Sequence, residues 1–398
     1  MTRSNDEKAM TKDPPLLTFP RAEYDARMAR TREAMAARGL EALLLFAQES
    51  LFYLTGYDTS GYVFFQCAVL PLSGEITLLT RRPDVAQARD TSTITDIRVW
   101  YNAEDADPAA DLALILREKG LAGRKLGVEL STYGLTAGNW RTVETALAGA
   151  FTLDDASDIV RRQRFVKSPA ELVHVRRAGE LADIAMLAVR EAAKPGRLSG
   201  ELSGAALTAM LANGGDLPSE MPIVNSGQRA VYGRGVLGAY ELEAHDQVMV
   251  EFGASHRRYM ACIERTVVIG PLAPEHAAMF AVVRDTLEAM VAAIRPGVAL
   301  GEIDAVHRKM LDASPYGADR YGACGYSLGA TYPPTWMDVP PMIFSGNPLL
   351  AEPGVVLFPH VMLGAVGSRR AVGMGHTIIV TETGCEVLSR LPLEPLRG

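Results

Sequence analysis

The chain has 398 residues, which at roughly 150 residues per domain predicts two or three domains. Hydrophobic residues make up 48% and charged residues 22%, with 36 Gly and 23 Pro spread along the length; collagen-like, coiled-coil and disordered classes are excluded. Lys plus Arg total 40 against 47 Asp plus Glu, a formal charge of −7 with no block of like charges, so nucleic acid is not an expected partner: phosphate binding needs a concentrated basic surface.

The first twenty residues mix both charge signs without an apolar stretch, and no run of about 18 apolar residues follows. No membrane association is expected, and the expected compartment is the cytoplasm. Four scattered cysteines, Cys67, Cys262, Cys324 and Cys385, fit reduced thiols better than a disulfide scaffold.

Residues 1–18 are expected to be mobile. Helical spacing predicts a helix over 24–38, and an apolar run predicts a buried strand over 42–46. Runs over 67–72 and 76–79 around Ser73-Gly74 predict a hairpin. Strands at 97–101 and 126–130 alternate with helices at 108–119 and 135–147, an α/β layer. A polar stretch over 154–167 ends in Ser168-Pro169-Ala170-Glu171, a capping box with proline at the first helical position, and marks a domain boundary. Beyond it helices are predicted at 172–194, 199–213, 274–294 and 300–313. Strands are predicted at 247–252, 259–269, 355–363 and 377–381, so the second domain reads as α+β.

No GxGxxG after a strand, GxxxxGK[ST], GxSxG or HExxH is present. The segment 246–266 instead concentrates reactive groups. Glu251 sits inside an apolar strand run, where burial would raise its pKa and suit it to acid, base or nucleophile chemistry; on the strand's wet face it would be a plain surface group. In the following strand, alternation sends Tyr259, Ala261, Ile263 and Arg265 one way and Met260, Cys262, Glu264 and Thr266 the other. The remaining histidines, His174, His245, His256, His276 and His307, show no partner pattern and read as solvated.

This hairpin resembles the metal-ligand hairpin of the creatinase and prolidase superfamily, the pita-bread fold. Further matches are Phe52-Tyr53-Leu54-Thr55-Gly56, Asn225-Ser226-Gly227 and Gly325-Tyr326-Ser327-Leu328-Gly329, followed by Tyr332-Pro333-Pro334-Thr335-Trp336. The resemblance implies an α/β creatinase-like amino-terminal domain over 19–160 and an α+β pita-bread domain over 161–398, a curved antiparallel sheet with helices on one face. It also implies a homodimer.

In the peptidases of this superfamily two Asp, one His and two Glu hold two metal ions; the matching positions here are Glu251, Cys262, Tyr326, His360 and, least securely, Gly375. That set lacks the carboxylates two hard ions need. The resemblance is closer to the metal-free creatinase and ectoine hydrolase branch. It implies a hydrolase that cleaves a carbon–nitrogen bond of a small zwitterion with no metal and no cofactor.

By that likeness Glu251 is the base or nucleophile and Glu264 holds the cationic nitrogen. Tyr326 donates to the oxyanion, and His360 or His376 protonates the leaving amine. Arg234, at a position where relatives carry His, anchors an acidic group, since its planar fork binds carboxylate and cannot shuttle protons. Trp336 faces the cation, and Tyr332, Tyr259, Cys262 and Arg265 complete the substrate-binding set. Two alternatives stand beside this reading: a single zinc on Cys262, His360 and Glu251 in a degenerate metallopeptidase-like hydrolase, and a non-catalytic metabolite-binding protein.

Overall fold

The computed structural model describes residues 14–236, 238–322 and 324–398; residues 1–13, most of the segment expected to be mobile, lie outside them. Leu16 is already tied to the fold, its backbone N–H donating to the Asp90 carbonyl at 3.0 Å. Backbone contacts divide the chain between Arg164 and Phe165.

The first unit runs α1 (Arg21–Ala37), β1 (Ala42–Leu45), α2 (Gln48–Thr55), β2 (Cys67–Pro71), β3 (Thr77–Arg81), α3 (Val85–Thr91), β4 (Asp96–Trp100), α4 (Pro108–Glu118), β5 (Lys125–Val128), α5 (Ala137–Leu147), β6 (Thr152–Asp155) and α6 (Asp158–Phe165). Its six strands lie in the order β4-β3-β2-β1-β5-β6, a mixed sheet. β1 is apolar at every position because both faces are covered. Ala42 and Leu44 join a core with Leu112 and Leu116 of α4 and Val143 of α5, whereas Leu43 and Leu45 join Met35 of α1 and Leu51 and Leu54 of α2. The start of α2 has no side-chain cap; Glu129 ties down the turn that leads into it, accepting from the backbone N–H of Phe46 and Ala47 and from the Ser50 hydroxyl.

The second unit runs α7 (Pro169–Ala192), α8 (Ser199–Ala212), β7 (Ile223–Ser226), β8 (Gln247–His256), β9 (Tyr259–Val268), α9 (Pro274–Ala293), α10 (Leu300–Asp312), β10 (Gly325–Ser327), β11 (Val356–Ala365), β12 (Arg370–His376), β13 (Ile378–Val380), β14 (Cys385–Val387) and β15 (Leu396–Arg397). The capping box of Ser168 and Glu171 opens α7. Among the described residues these strands form one nine-stranded sheet, β14-β13-β11-β12-β9-β8-β7, with β10 on β11 and β15 parallel to β9. One face carries the helices. Val248, Val250 and Phe252 of β8 and Ile263 and Val267 of β9 pack with α7 and α8, and Val361, Leu363, Val372 and Met374 pack with α9 and α10. Among the described residues, no helix is long and apolar enough to cross a membrane.

Candidate active site

Because strand side chains alternate, the residues between those apolar ones point away from the helices. Glu251 and Glu264 are register partners across β8 and β9, Gly375 pairs with Glu264 across β9 and β12, and Gly375 pairs with His360 across β12 and β11. Four neighbouring strands thus carry Glu251, Glu264, Gly375 and His360 in one row. β10 adds Tyr326, opposite Phe358 on β11. The row borders a cavity of about 250 Å³ lined among others by Glu220, Arg234, Glu251, Tyr326, Trp336 and His360.

Two hydrogen-bonded groups organise it. Trp336 Nε1–H donates to Tyr326 Oη at 2.8 Å, and Tyr326 O–H donates to Glu251 Oε1 at 2.8 Å. An indole nitrogen can only donate, so the phenol must accept from it and spend its own proton on the carboxylate. Tyr326 is therefore committed to orienting Glu251 in the resting site; the sequence-based expectation had it donate to the substrate's oxyanion. The second group is Glu264 Oε2 with His360 Nδ1, 3.1 Å apart. Glu264 is fully buried, and its Oε1 has no hydrogen-bond partner.

Burial pushes Glu251 up to about 7, aided by the neighbouring Glu264 and opposed by His360, Tyr326 and Arg234. Burial likewise pushes Glu264 up to about 8, with Arg265 opposing, and lowers His360. Desolvation penalises whichever partner is charged, so the pair shares one proton in a neutral form, with the Glu264 acid donating to Nδ1 and Nε2–H left for a group in the cavity. Burial, and after it Glu251, raises the Cys262 thiol well above its usual range.

The two metal ions implied for the peptidases do not fit these residues. Among the described residues, no three His, Cys, Asp or Glu side chains at the cavity bring ligand atoms within 4.8 Å of one another. A Cβ at Gly375 would lie 2.5 Å from Phe358 Cζ and 2.6 Å from His360 Cβ, so this position has no room for a carboxylate. One thiol and one phenol, both pushed toward the protonated form, cannot balance two dications.

Glu251, Glu264, Tyr326, His360, Arg234 and Trp336 are thus brought together. Cys262 lies below them, paired with Gly253; a Cβ at Gly253 would be 3.0 Å from Trp336 Cβ and 3.4 Å from Cys262 Sγ. The other expected residues lie elsewhere. Arg265 and Tyr259 occupy the helix-packed face of β9: Arg265 donates to the carbonyls of Glu264 and Gly375, and Tyr259 donates to Glu171 of α7. His376 alternates with Gly375 and so falls beside Val372 and Met374 on that same face, where burial, and after it the nearby Arg265, lowers it to about 3. Tyr332 lies under the Arg258 guanidinium, 4.7 Å from the ring centre. Sequence reasoning missed Glu220 and Tyr321. Glu220, raised by burial and opposed by Arg234, sits in a Pro-Ser-Glu loop that carries no periodic signal.

Residues 173–382 match metallopeptidase family M24, and residues 27–166 match the creatinase/prolidase N-terminal domain. The ectoine hydrolase of Halomonas elongata is 27% identical over 393 residues, 94% of this chain and 97% of that protein. The Xaa-Pro dipeptidase of Pyrococcus horikoshii is 25% identical over 368 residues, 91% of this chain and 96% of that one. Among solved structures, dipeptidase PepE from Mycobacterium ulcerans superposes with a TM-score of 0.82 at 25% identity, covering 95% of this chain and 99% of that one. A prolidase from Thermococcus sibiricus shares the fold at a TM-score of 0.85 and 21% identity, covering 94% and 99%. The chain belongs to metallopeptidase family M24, in the creatinase/prolidase superfamily, with the superfamily's N-terminal domain preceding the pita-bread domain.

Proposed function

We propose that the protein is a metal-independent hydrolase that cleaves a carbon–nitrogen bond in a small zwitterion. The observation that carries this reading is the row Glu251, Glu264, Gly375, His360: buried proton-handling groups where the peptidase chemistry needs a carboxylate cage. The cavity's size favours a small metabolite over an extended peptide. Arg234 and Glu220 at its wall offer one cation and one anion, a match for a zwitterion's carboxylate and cationic nitrogen. The likeness to ectoine hydrolase adds support.

In this mechanism Glu251, held by Tyr326, takes a proton from a water, whose oxygen attacks the substrate carbon. His360 Nε2–H stabilises the developing oxyanion, backed by Glu264. The C–N bond then breaks as the proton on Glu251 passes to the leaving nitrogen, so one water is consumed and Glu251 returns ionised.

The test is a mass-spectrometric screen of cyclic amidines, guanidino acids, betaines and Xaa-Pro dipeptides, run with chelator and then with added manganese or cobalt. Hydration and cleavage of a zwitterion that persists in chelator is expected. Dipeptide cleavage appearing only after metal addition would contradict the proposal.

A further inference from the structure

On the helix side of the second unit lies a cluster of ligating groups that the cavity does not use. Asp304 and His307 are three residues apart on α10 and so share a helix face. Cys324, just before β10, meets them: its Sγ is 3.5 Å from Asp304 Oδ1, and one ligand atom from each of the three lies within 4.8 Å of the other two. All three side chains are buried, at 2%, 1% and 0% exposure. His307 does not behave as the solvated helix residue the sequence suggested. It is enclosed, and neither Nδ1 nor Nε2 has a hydrogen-bond partner. An imidazole buried with both nitrogens unpaired is costly, and an unpaired ring nitrogen facing a thiol and a carboxylate is a ligand in waiting.

We infer that Asp304, His307 and Cys324 hold a zinc ion, with a water as its fourth ligand. One thiolate, one imidazole and one carboxylate form a mixed S, N, O set that suits zinc and excludes the hard ions magnesium and calcium. Thiolate and carboxylate together neutralise the dication, so no net charge is buried. Arg308 Nε donates to Asp304 Oδ2 at 2.7 Å, which fixes the carboxylate and leaves Oδ1 toward the cysteine. Usual zinc bond lengths place tetrahedral ligand atoms roughly 3.3–3.6 Å apart, so binding asks for an inward adjustment of about an ångström. On binding, the Cys324 S–H proton is released to solvent.

The site would pin α10 to the chain entering β10. Cys324 is two residues before Tyr326, and its carbonyl accepts from the His360 backbone N–H at 3.1 Å. The ion would thereby steady two cavity residues without touching the cavity, and the inference does not depend on the function proposed above.

The test uses the full chain, stripped with chelator, dialysed against zinc and analysed for metal. One zinc per chain is expected in the wild type, in Glu251→Gln and in Cys262→Ser, with at least a tenfold loss in Cys324→Ser and His307→Ala. Cobalt(II) should give a thiolate charge-transfer band that survives Cys262→Ser. Added zinc should raise the melting temperature of the wild type by several degrees and leave that of His307→Ala unchanged. A wild type that retains no zinc and shows no cobalt–thiolate band would overturn the inference even if Cys324→Ser fails to fold. So would metal that Cys324→Ser keeps and Cys262→Ser loses, which would put the ion in the cavity.

Discussion

Glu251 is held between two opposing effects, burial that favours its acid form and the Tyr326 hydrogen bond that favours its carboxylate, and the balance near 7 is what a general base at neutral pH requires. Glu251→Gln keeps the shape and removes the base, so kcat should fall by about 10²–10⁴ while the fold is retained; activity within tenfold of wild type would reject the role. With Glu251 ionised and Glu264 still protonated in the working form, kcat/KM should rise through about pH 7 and fall again near pH 8. Tyr326→Phe deletes a hydrogen bond that stabilises the ionised form. The rising limb should therefore move up by about 1–2 pH units, the equivalent of a charge-assisted hydrogen bond. A limb that stays in place would show that Tyr326 does not tune Glu251. The Glu251 carboxyl is legible in the sequence as a charge inside an apolar strand run, and Glu264 only through the resemblance of its hairpin to that of the superfamily. The Tyr326 role was not, because nothing in a linear pattern reveals that Trp336 occupies its acceptor side.

At the level of elements, the strand that makes the site is the one the sequence hid. β8, β9 and β11 announce themselves through apolar alternation, whereas β12 reads Arg-Ala-Val-Gly-Met-Gly-His, with glycine where the cavity-facing side chains should be. Gly373 and Gly375 are empty there for a reason. A Cβ at Gly373 would sit 2.1 Å from Glu264 Oε1, so the glycine is the space the buried acid occupies. Gly373→Ala should displace Glu264 from His360, costing about 1–3 kcal/mol of stability as overpacking does and lowering kcat more than it raises KM; a variant with wild-type melting and turnover would refute this. The short helix α2 was missed for a different cause. Its residues are buried almost all round, so it has no polar stripe, and it has no side-chain cap to mark its start. Alternation along β9 correctly separates Glu264 from Arg265, and the same rule applied to β12 separates Gly375 from His376. The second separation needed the register, which the sequence does not supply.

Across the whole molecule, three enclosed carboxyls share one behaviour. Burial raises Glu129 and Glu251 to about 7 and Glu264 to about 8, from an ordinary value of 4.5. Between pH 4.5 and 8 the folded chain therefore holds protons that the unfolded chain has released. Stability contributed by these groups is present below the unfolded value and is lost as pH rises through the folded one. Thermal melting should fall between pH 7 and pH 9, above the range in which unfolding would let the buried His174, His307 and His376 take up protons, by the equivalent of about 2 kcal/mol in sum at about 1.4 kcal/mol per pKa unit, and Glu251→Gln with Glu264→Gln should flatten the decline in the second unit. A melting temperature that rises across this range would reverse the assigned sign. The α/β class of the first unit and the α+β class of the second were legible in the periodicity, whereas the cavity follows only from the packing of four strands and a loop.

In the proposed mechanism the cavity works through side chains that carry protons and not through a pair of ions. Anomalous diffraction at the manganese edge, from crystals equilibrated with manganese, separates the two. No manganese peak is expected between Glu251, Glu264 and His360, and Glu264 should remain on His360. Two peaks about 3.5–4 Å apart at that spot, the spacing of a two-metal hydrolase, would make the cavity a two-ion centre and rule out the proton-handling mechanism.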